Sequence, residues 1–250
     1  MEITSNLENI GKKYANENYS NLEGNNFTEN MFQICDSIIM SNIGWKEISL
    51  AEQRYTATSQ VLTIIDIIGH IYLQKQTPFG HCVNHSRTYS TDNLNIQLTT
   101  FPQFIANGSF CFIDASNSIC FPDTALNGIE EDCIRSVAAF VYLDNEDSNM
   151  LPPLFSSQAS NKSLVTGLSL NNGSTVTISD NEEPIKVLFG HPAINNVDIQ
   201  RRSCAFWDLN KQVWLNDGCF FNVEESKLDL TVCNCYHLTN FGIFMDMTGE

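Results

Sequence analysis

The chain is poor in basic residues. It has 13 Lys and Arg against 29 Asp and Glu, so the formal net charge is −16 over 250 residues. An acidic surface of this strength repels phosphate groups. We therefore expect no nucleic-acid partner, and anionic membrane surfaces are equally unfavourable.

Long apolar runs are also missing. The most apolar stretch, from Val61 to Leu73, is too short to span a bilayer and contains Asp66 and His70. The residues that follow Met1 are polar and acidic, which predicts no cleavable signal peptide there. There is no internal repeat and no low-complexity tract. If the chain is part of a receptor, we expect an excised or incomplete part.

Cysteine, by contrast, is plentiful, with nine residues. This is more than a cytosolic domain usually carries. Asn-x-Ser/Thr sequons, the acceptor sites for glycosylation, accompany them at Asn18, Asn26, Asn84, Asn107, Asn161 and Asn172. An Asn- and Ser-rich chain produces some sequons by chance, but the two features together favour an oxidising, extracellular setting.

Before residue 80, apolar residues recur at helical spacing, as at Tyr55, Leu62, Ile65, Ile68 and Tyr72. The sequence Ser49-Leu50-Ala51-Glu52 is typical of a capping box that starts this helix, and Pro78-Phe79-Gly80 ends it. A weaker helix is predicted near residues 28–41. We interpret the apolar residues of both helices as helix-packing core.

Beyond residue 90 the pattern changes to short strands between turn residues. Residues 95–99 alternate, and residues 136–143 form a continuous apolar run typical of a strand buried on both faces. Residues 185–189 predict another strand. The turn Asn171-Asn172-Gly173 favours a hairpin between residues 168–170 and 175–178. The chain thus has a helical half followed by a stranded half.

The most specific pattern lies near the C-terminus. Cys204-Ala205-Phe206-Trp207-Asp208 is followed by Trp214, by Gly218-Cys219 and by a run from Cys233 to Phe241 that contains His237-Leu238-Thr239. A lone triplet means little, but here the cysteines, the tryptophans and the triplet all occur at the spacing of one known motif. This pattern resembles the GPS motif of adhesion receptors, latrophilin-like ones among them, and of polycystins. In that family the chain cuts itself between Leu and Thr.

The resemblance implies an α+β fold of the GAIN type. A helical subdomain would cover residues 1–88, and an antiparallel β-sandwich subdomain, residues 89–250, would end in the GPS motif, residues 204–245. The chain is shorter than is usual for the family, and we expect the missing part to be N-terminal helices. The resemblance also implies a place at the cell surface in a membrane receptor, an unknown extracellular ligand and no cofactor.

The chemistry of the triplet follows from its residue types. Side chains two apart share a face of an extended segment, so the imidazole of His237 is expected to reach the hydroxyl of Thr239. An imidazole is a base near neutral pH and can activate a hydroxyl. Attack on the Leu238 carbonyl turns the amide into an ester, an N-to-O acyl shift, which water then hydrolyses. This predicts single-turnover self-cleavage rather than a turnover enzyme.

The cysteines around the triplet have two competing interpretations. One is a zinc site, because a zinc-binding type of ligand set is present at Cys219, Cys233, Cys235 and His237. Against zinc, the Cys-x-Cys spacing is tight, and a metal would occupy the imidazole that cleavage needs. We therefore predict no metal. The resemblance implies disulfides between Cys204 and Cys233 and between Cys219 and Cys235, although four cysteines permit three connectivities.

The remaining cysteines are an odd set, namely Cys35, Cys82, Cys111, Cys120 and Cys133. Cys111 and Cys120 could close a local hairpin, which leaves at least one thiol free. We interpret Trp207 and Trp214 as core residues that pack against the bridges of the motif.

Large residues alternate after the triplet. One face carries Thr239, Phe241, Ile243 and Met245, and the other carries Asn240, Gly242 and Phe244. The alternation predicts a buried strand that neighbouring strands retain after a cut. In adhesion receptors the segment is a tethered agonist of a following seven-helix transmembrane domain, and the resemblance implies that role for residues 239–245.

Two other functions compete with this one. The domain could be an uncleaved GAIN-like module that acts as a structural spacer or binds a ligand. It could also be an unrelated secreted or zinc-dependent protein.

Overall fold

A computed structural model describes residues 21–39, 48, 50–77, 82, 84–102, 109–126, 133–143, 163–171, 177–178, 182–193 and 202–245. Within these residues there are two helices, α1 (Asn21–Ile39) and α2 (Ala51–Gln76), followed by strands and one short 3₁₀ helix (Asp123–Leu126). The strands are β1 (His85–Ser90), β2 (Leu94–Pro102), β3 (Ser109–Asp114), β4 (Asn117–Pro122), β5 (Cys133–Leu143), β6 (Ser163–Leu170), β7 (Ile185–Gly190), β8 (Arg202–Asp208), β9 (Val213–Leu215), β10 (Cys219–Phe221), β11 (Leu230–Cys235) and β12 (Asn240–Met245). The predicted α+β class is confirmed.

The strands form two antiparallel sheets. A seven-stranded sheet has the order β1-β2-β5-β6-β12-β8-β9, and a five-stranded sheet has the order β10-β11-β7-β4-β3. The consecutive strands β11 and β12 therefore belong to different sheets, β11 to the smaller and β12 to the larger. The chain must cross between the sheets just after β11.

Three layers result, with the seven-stranded sheet in the middle. Its outer face packs against α1 and α2 through Leu94, Ile96 and Leu98 of β2 and through Trp207 of β8. Its inner face packs against the five-stranded sheet, for example through Phe140. This explains the continuous apolar run of β5, because successive side chains of a strand point into opposite cores.

Helix α2 lies unusually close to the larger sheet at Gly69. A Cβ atom at this position would lie 2.7 Å from Cγ2 of Val137 on β5. The absence of a side chain at Gly69 therefore permits the close approach of helix and sheet. Among the helices within the described ranges, none is long and apolar enough to cross a membrane.

Several local predictions need correction or extension. Helix α1 starts at Asn21, earlier than expected. The capping box predicted Ser49 as the N-cap of helix α2, but the helix starts at Ala51 and its N-cap is Leu50, which makes no side-chain cap hydrogen bond. Ser49 and residues 78–80 lie outside the described residues. Residues 85–88, assigned to the helical half from sequence, pair with β2 as part of β1.

The hairpin predicted after β6 is described only at its ends, because residues 172–176 lie outside the described ranges. Thr177, from the second arm, forms an isolated antiparallel bridge with His237. The amide of Ile178 donates to the carbonyl oxygen of Tyr236 at 2.7 Å. This arm therefore lies beside the segment that crosses between the sheets.

Candidate active site

The triplet His237-Leu238-Thr239 lies on the segment that joins the two sheets. It follows β11 of the five-stranded sheet and precedes β12 of the seven-stranded sheet. The backbone bends at Tyr236 and again at Thr239. The premise that His237 and Thr239 share one face of a regular extended segment was therefore wrong, because the chain must turn to reach the second sheet.

Two disulfides fix the start of this crossing. Cys204 of β8 is bonded to Cys233 of β11, which links the two sheets, and Cys219 of β10 is bonded to Cys235 of β11. These are the pairs that the resemblance implies. Because all of these sulfurs are in disulfides, Cys219, Cys233 and Cys235 offer no thiolate, and the zinc alternative is wrong.

The other cysteines are also assigned. Cys111 is bonded to Cys120 across the β3-β4 hairpin, as the sequence suggested, and Cys82 is bonded to Cys133, a pair that the sequence left open. Cys35 is the free and buried cysteine. Burial raises the pKa of its thiol to about 12, so it stays protonated.

The imidazole of His237 is held on two sides. Its Nε2 lies 3.2 Å from the carbonyl oxygen of Asp217, and its ring meets the ring of Phe206 edge-to-face at 4.3 Å between centroids. A carbonyl oxygen can only accept, so Nε2 carries the proton and Nδ1 keeps a free lone pair. The arrangement leaves a basic nitrogen on a half-buried histidine.

Gly218 makes this contact possible. Its φ is +75°, a left-handed conformation that favours glycine, and a Cβ atom there would lie 3.3 Å from Cδ2 of His237. Its carbonyl oxygen also accepts from the amide of Tyr236 at 2.9 Å. The turn before β10 thus packs directly against the imidazole.

Thr239 makes different contacts from those expected. Its hydroxyl donates to the carbonyl oxygen of Trp207 at 3.4 Å, and its own carbonyl oxygen accepts from the amide of Leu168 at 3.2 Å. Within the part of the chain that the structure describes, there is no direct hydrogen bond between His237 and Thr239. Nor does any residue in the described ranges donate a hydrogen bond to the carbonyl oxygen of Leu238, where an oxyanion would develop.

The strand after Thr239 lies inside the larger sheet. β12 pairs with β8 over its whole length and with β6 at Asn240 and Phe241. Phe241 is 1% exposed and lies with Ile243 in the core between the sheets, while Phe244 packs against the helix-side core. The predicted alternation is therefore present; the side chain of Met245 lies outside the described set.

The tryptophans of the motif are core residues, but not against the disulfides. Trp207 is fully buried in the core beneath the helices, where its Nε1 donates to Ser59 of α2 at 2.9 Å. Trp214 meets it edge-to-face. Cys204 faces the opposite core. The interpretation was wrong about the packing partner because Trp207 and Cys204 lie on opposite faces of β8.

A cavity of about 380 Å³ opens beside the triplet, between α2 and the larger sheet. Its lining includes His237, Leu238 and Thr239 together with Asp66 of α2 and Ser169 of β6. Asp66 was not predicted as a site residue. Its signal in the sequence was a carboxylate and a histidine four residues apart in the most apolar run of the chain.

Asp66 has a perturbed acidity. Desolvation by burial raises the pKa of its carboxyl group to about 6, and the hydrogen bond from Ser169 opposes this only in part. His70, four residues later, has its pKa lowered to about 4 by burial and by the charge of Arg135. At neutral pH the pair is therefore a carboxylate beside a neutral imidazole.

We predict that Asp66→Asn stabilises the protein at neutral pH. The folded-state pKa of Asp66 is raised, so its contribution to stability is complete below the unfolded-state value and is lost as pH rises through about 6. The free energy of unfolding of the variant should be higher by on the order of 1–2 kcal/mol at pH 7.5, a value reduced because solvent partly screens the exposed side of the carboxyl. Urea unfolding at pH 7.5 and about pH 4 measures this, and the gain should vanish at the lower pH.

Asp208→Asn is the matched control, because Asp208 lines the same cavity. Hydrogen bonds from the backbone amides of Lys211 and Asn210 lower the pKa of Asp208. Its contribution to stability is therefore present at neutral pH and is lost in acid. The control should destabilise at pH 7.5, and a loss of stability in Asp66→Asn as well would contradict the prediction.

Two of the predicted sequons are described. Asn26 on α1 and Asn84 before β1 are exposed. Asn18, Asn107, Asn161 and Asn172 lie outside the described residues.

Comparison with known proteins gives a consistent result. The family model GPS, GAIN subdomain B, matches residues 81–249. The chain is 32% identical over 102 residues, 39% of its length, to Adhesion G-protein coupled receptor G2 of Rattus norvegicus, and covers 10% of that protein. It is 34% identical over 88 residues, 35% of its length, to Latrophilin Cirl of Drosophila mojavensis, covering 5%. Over 229 residues, 84% of its length, it is 22% identical to Adhesion G-protein coupled receptor G4 of Mus musculus, covering 7%. The chain thus spans a tenth or less of the length of these curated relatives.

Proposed function

Because this chain belongs to the GPS family, with residues 81–249 matching GAIN subdomain B, we propose that it cuts its own backbone between Leu238 and Thr239. The observation that carries the proposal is the position of this peptide bond. It lies where the chain crosses between two sheets, directly after a strand, β11, that two disulfides anchor. A bond held in a bend between fixed strands is well suited to distortion toward a reactive geometry.

The base in this reaction is Nδ1 of His237. The Nε2 proton is engaged with the Asp217 carbonyl, which leaves Nδ1 to accept the proton of the Thr239 hydroxyl. The hydroxyl must first turn away from the Trp207 carbonyl. At 3.4 Å that hydrogen bond is long, so little is lost when the hydroxyl rotates.

The acyl shift then proceeds with no other reagent. Oγ1 of Thr239 forms a bond to the carbonyl carbon of Leu238 while the carbon–nitrogen bond breaks, and the proton on His237 passes to the departing amine. Covalent proximity of nucleophile and carbonyl supplies at best about 7–11 kcal/mol of the barrier. One water molecule hydrolyses the ester and leaves a carboxylate on Leu238 and a free amine and hydroxyl on Thr239.

After the cut, β12 would stay in the larger sheet as a hidden agonist. It lies between β8 and β6, and its Phe241 and Ile243 are buried. A strand that pairs with a neighbour on each edge and buries two large side chains does not dissociate spontaneously. The relatives named above are adhesion receptors, so we assign residues 239–245 the role of a tethered agonist for a seven-helix domain of the parent protein.

The same context supports our proposals for the remaining partners and the location. As part of an adhesion-type receptor, the domain would lie outside the cell, next to the membrane. An unknown extracellular ligand would act on the parent protein, and the exposed sequons at Asn26 and Asn84 would carry glycans. The disulfides agree with an oxidising compartment.

One observation favours a second function, an uncleaved GAIN-like module that acts as a spacer or binds a ligand. The Thr239 hydroxyl is directed at the Trp207 carbonyl and not at His237. If the hydroxyl never leaves the Trp207 carbonyl for His237, the peptide bond between Leu238 and Thr239 stays intact.

Denaturing electrophoresis and native size exclusion of the secreted protein together separate the two functions. Self-cleavage predicts two pieces in denaturant and a single particle in native size exclusion. A single full-length band in denaturant would favour the uncleaved module.

We predict that loss of the bridge between the sheets slows the cut. Replacing both Cys204 and Cys233 by Ser should cost about 2–5 kcal/mol of unfolding free energy. Since β11 is then less firmly positioned, the cleaved fraction should fall although His237 and Thr239 are unchanged. Unfolding curves and densitometry of the two pieces measure both effects.

The control replaces Cys111 and Cys120 by Ser, because that bridge closes the β3-β4 hairpin at the far edge of the smaller sheet. It should leave the cleaved fraction unchanged. If the Cys204/Cys233 variant folds and cuts at the normal rate, the bridge does not position the bond.

A further inference from the structure

The second step of the proposed reaction needs a water molecule and a base, and His237 is not the only basic group at hand. After the acyl shift, the ester lies between Leu238 and Thr239, both of which line the cavity of about 380 Å³. A water molecule occupies about 30 Å³ in the liquid, so the cavity can hold several next to the ester.

Asp66 faces this cavity from helix α2. Its side chain is half-buried, with 34% of its surface accessible, and it is part of the lining of the cavity. Burial raises its pKa to about 6, which makes its carboxylate a stronger base than an ordinary aspartate and leaves it ionised at neutral pH. These are the properties of a group that can take a proton from water.

The carboxylate is also held in place. Ser169 Oγ donates to Oδ1 of Asp66, and Nε2 of His70 lies 2.8 Å from Ser169 Oγ. Since the serine proton is directed to Asp66, Nε2 of His70 must donate to the serine. A neutral histidine, a serine and a carboxylate thus form a directed chain of hydrogen bonds, which holds Oδ1 of a carboxylate that lines the cavity.

Ser169 connects this chain to the scissile residues. It follows Leu168, whose amide donates to the carbonyl oxygen of Thr239 at 3.2 Å. β6 therefore holds both Thr239 and the serine that orients Asp66. The other carboxylate of the cavity, Asp208, is engaged by the backbone amides of Asn210 and Lys211 and is not free for this role.

We propose that Asp66 is the general base for the water that hydrolyses the ester, and that Ser169 and His70 are its positioning residues. The inference rests on the proposed self-cleavage. Asp66 takes one proton from water while the water oxygen bonds to the carbonyl carbon of Leu238. The bond from that carbon to Oγ1 of Thr239 breaks, and Oγ1 receives the proton from Asp66. One water is consumed, and the carboxylate is regenerated.

Hydroxylamine, which cleaves esters far faster than amides, provides the test. Wild type, Asp66→Asn and the matched control Asp208→Asn are secreted, checked for folding by size exclusion, and analysed by mass spectrometry with and without hydroxylamine at neutral pH. Wild type and control should be cut without the reagent. Asp66→Asn should stay largely uncut, because its hydrolysis is slowed by about 10²-fold or more, and should be cut when hydroxylamine is added.

Equal cutting of Asp66→Asn and wild type without the reagent would overturn the assignment. A folded Asp66→Asn protein that resists hydroxylamine would also overturn it, because no ester has then accumulated. If this variant does not fold, Ser169→Ala is tested in the same assay. It should accumulate an ester that hydroxylamine cleaves, and normal cutting without the reagent would contradict the assignment. Failure of wild type to cut even with hydroxylamine would refute the proposed self-cleavage itself, and this inference with it.

Discussion

Thr239→Ala should abolish the cut after Leu238, and Thr239→Ser should retain it. In the proposed acyl shift the hydroxyl is the nucleophile, so removal of Oγ1 leaves no atom to form the ester, while serine keeps the oxygen at the same position. The alanine variant should fold, because the hydroxyl makes only one long hydrogen bond, to the Trp207 carbonyl. A denaturing gel should show one band for alanine and two for wild type and serine.

His237→Ala tests the base in the same assay. A positioned base contributes about 10²–10⁴-fold to the rate, so the cut should become very slow without loss of the fold. His191→Ala is the matched control. His191 is also a partly buried histidine with a hydrogen bond, to Thr231 at 3.0 Å, but it does not line the cavity. Normal cutting by His237→Ala would contradict the assignment of the base.

Phe241→Ala should reduce the free energy that holds the cleaved strand in the domain by about 3–5 kcal/mol. The ring is 1% exposed and lies between the sheets, so its removal leaves a cavity next to the ring of His237, 6.2 Å away between centroids. The cleaved wild-type protein should run as one particle in native size exclusion and separate only in denaturant. The variant should release the fragment at a lower denaturant concentration.

Phe220→Ala is the control for this comparison, because its ring is 58% exposed on β10. It should release the fragment at the same denaturant concentration as the wild type.

If Phe241 also carries the agonist activity, a synthetic peptide that begins at Thr239 should activate the parent receptor, and the same peptide with alanine at 241 should not. Spontaneous loss of the wild-type fragment after cleavage would contradict a stored agonist.

The fold was predictable where local pattern is enough. The apolar run of β5 indicated a strand buried on both faces, and the apolar spacing of α2 indicated its helix, although the N-cap is Leu50 and not the predicted Ser49. The bond between Cys82 and Cys133 was not predictable, because its residues are 51 apart and no local period relates them. The same limit applies to Trp207, since the face of β8 that meets the helices depends on the assembly of the sheets.

The sequence pattern led to the residues of the candidate site but not to their geometry. The spacing of the cysteines, the tryptophans and the triplet marked the bond that we propose is cut. The bends at Tyr236 and Thr239 arise because β11 and β12 belong to different sheets, which is a long-range property. Asp66 was missed for a related reason. Only the packing of α2 on the larger sheet brings its carboxyl to the cavity that Leu238 and Thr239 line.

Mass spectrometry of the denatured, secreted protein in water labelled with heavy oxygen tests the central claim most directly. Self-cleavage predicts two species, one that ends at Leu238 and one that begins at Thr239 with a free amine, with summed masses one water above the intact chain. Protein that is trapped as the ester and then hydrolysed in labelled water should carry the label on the Leu238 carboxylate. An intact chain as the only species, or a cut at any other bond, would contradict the account.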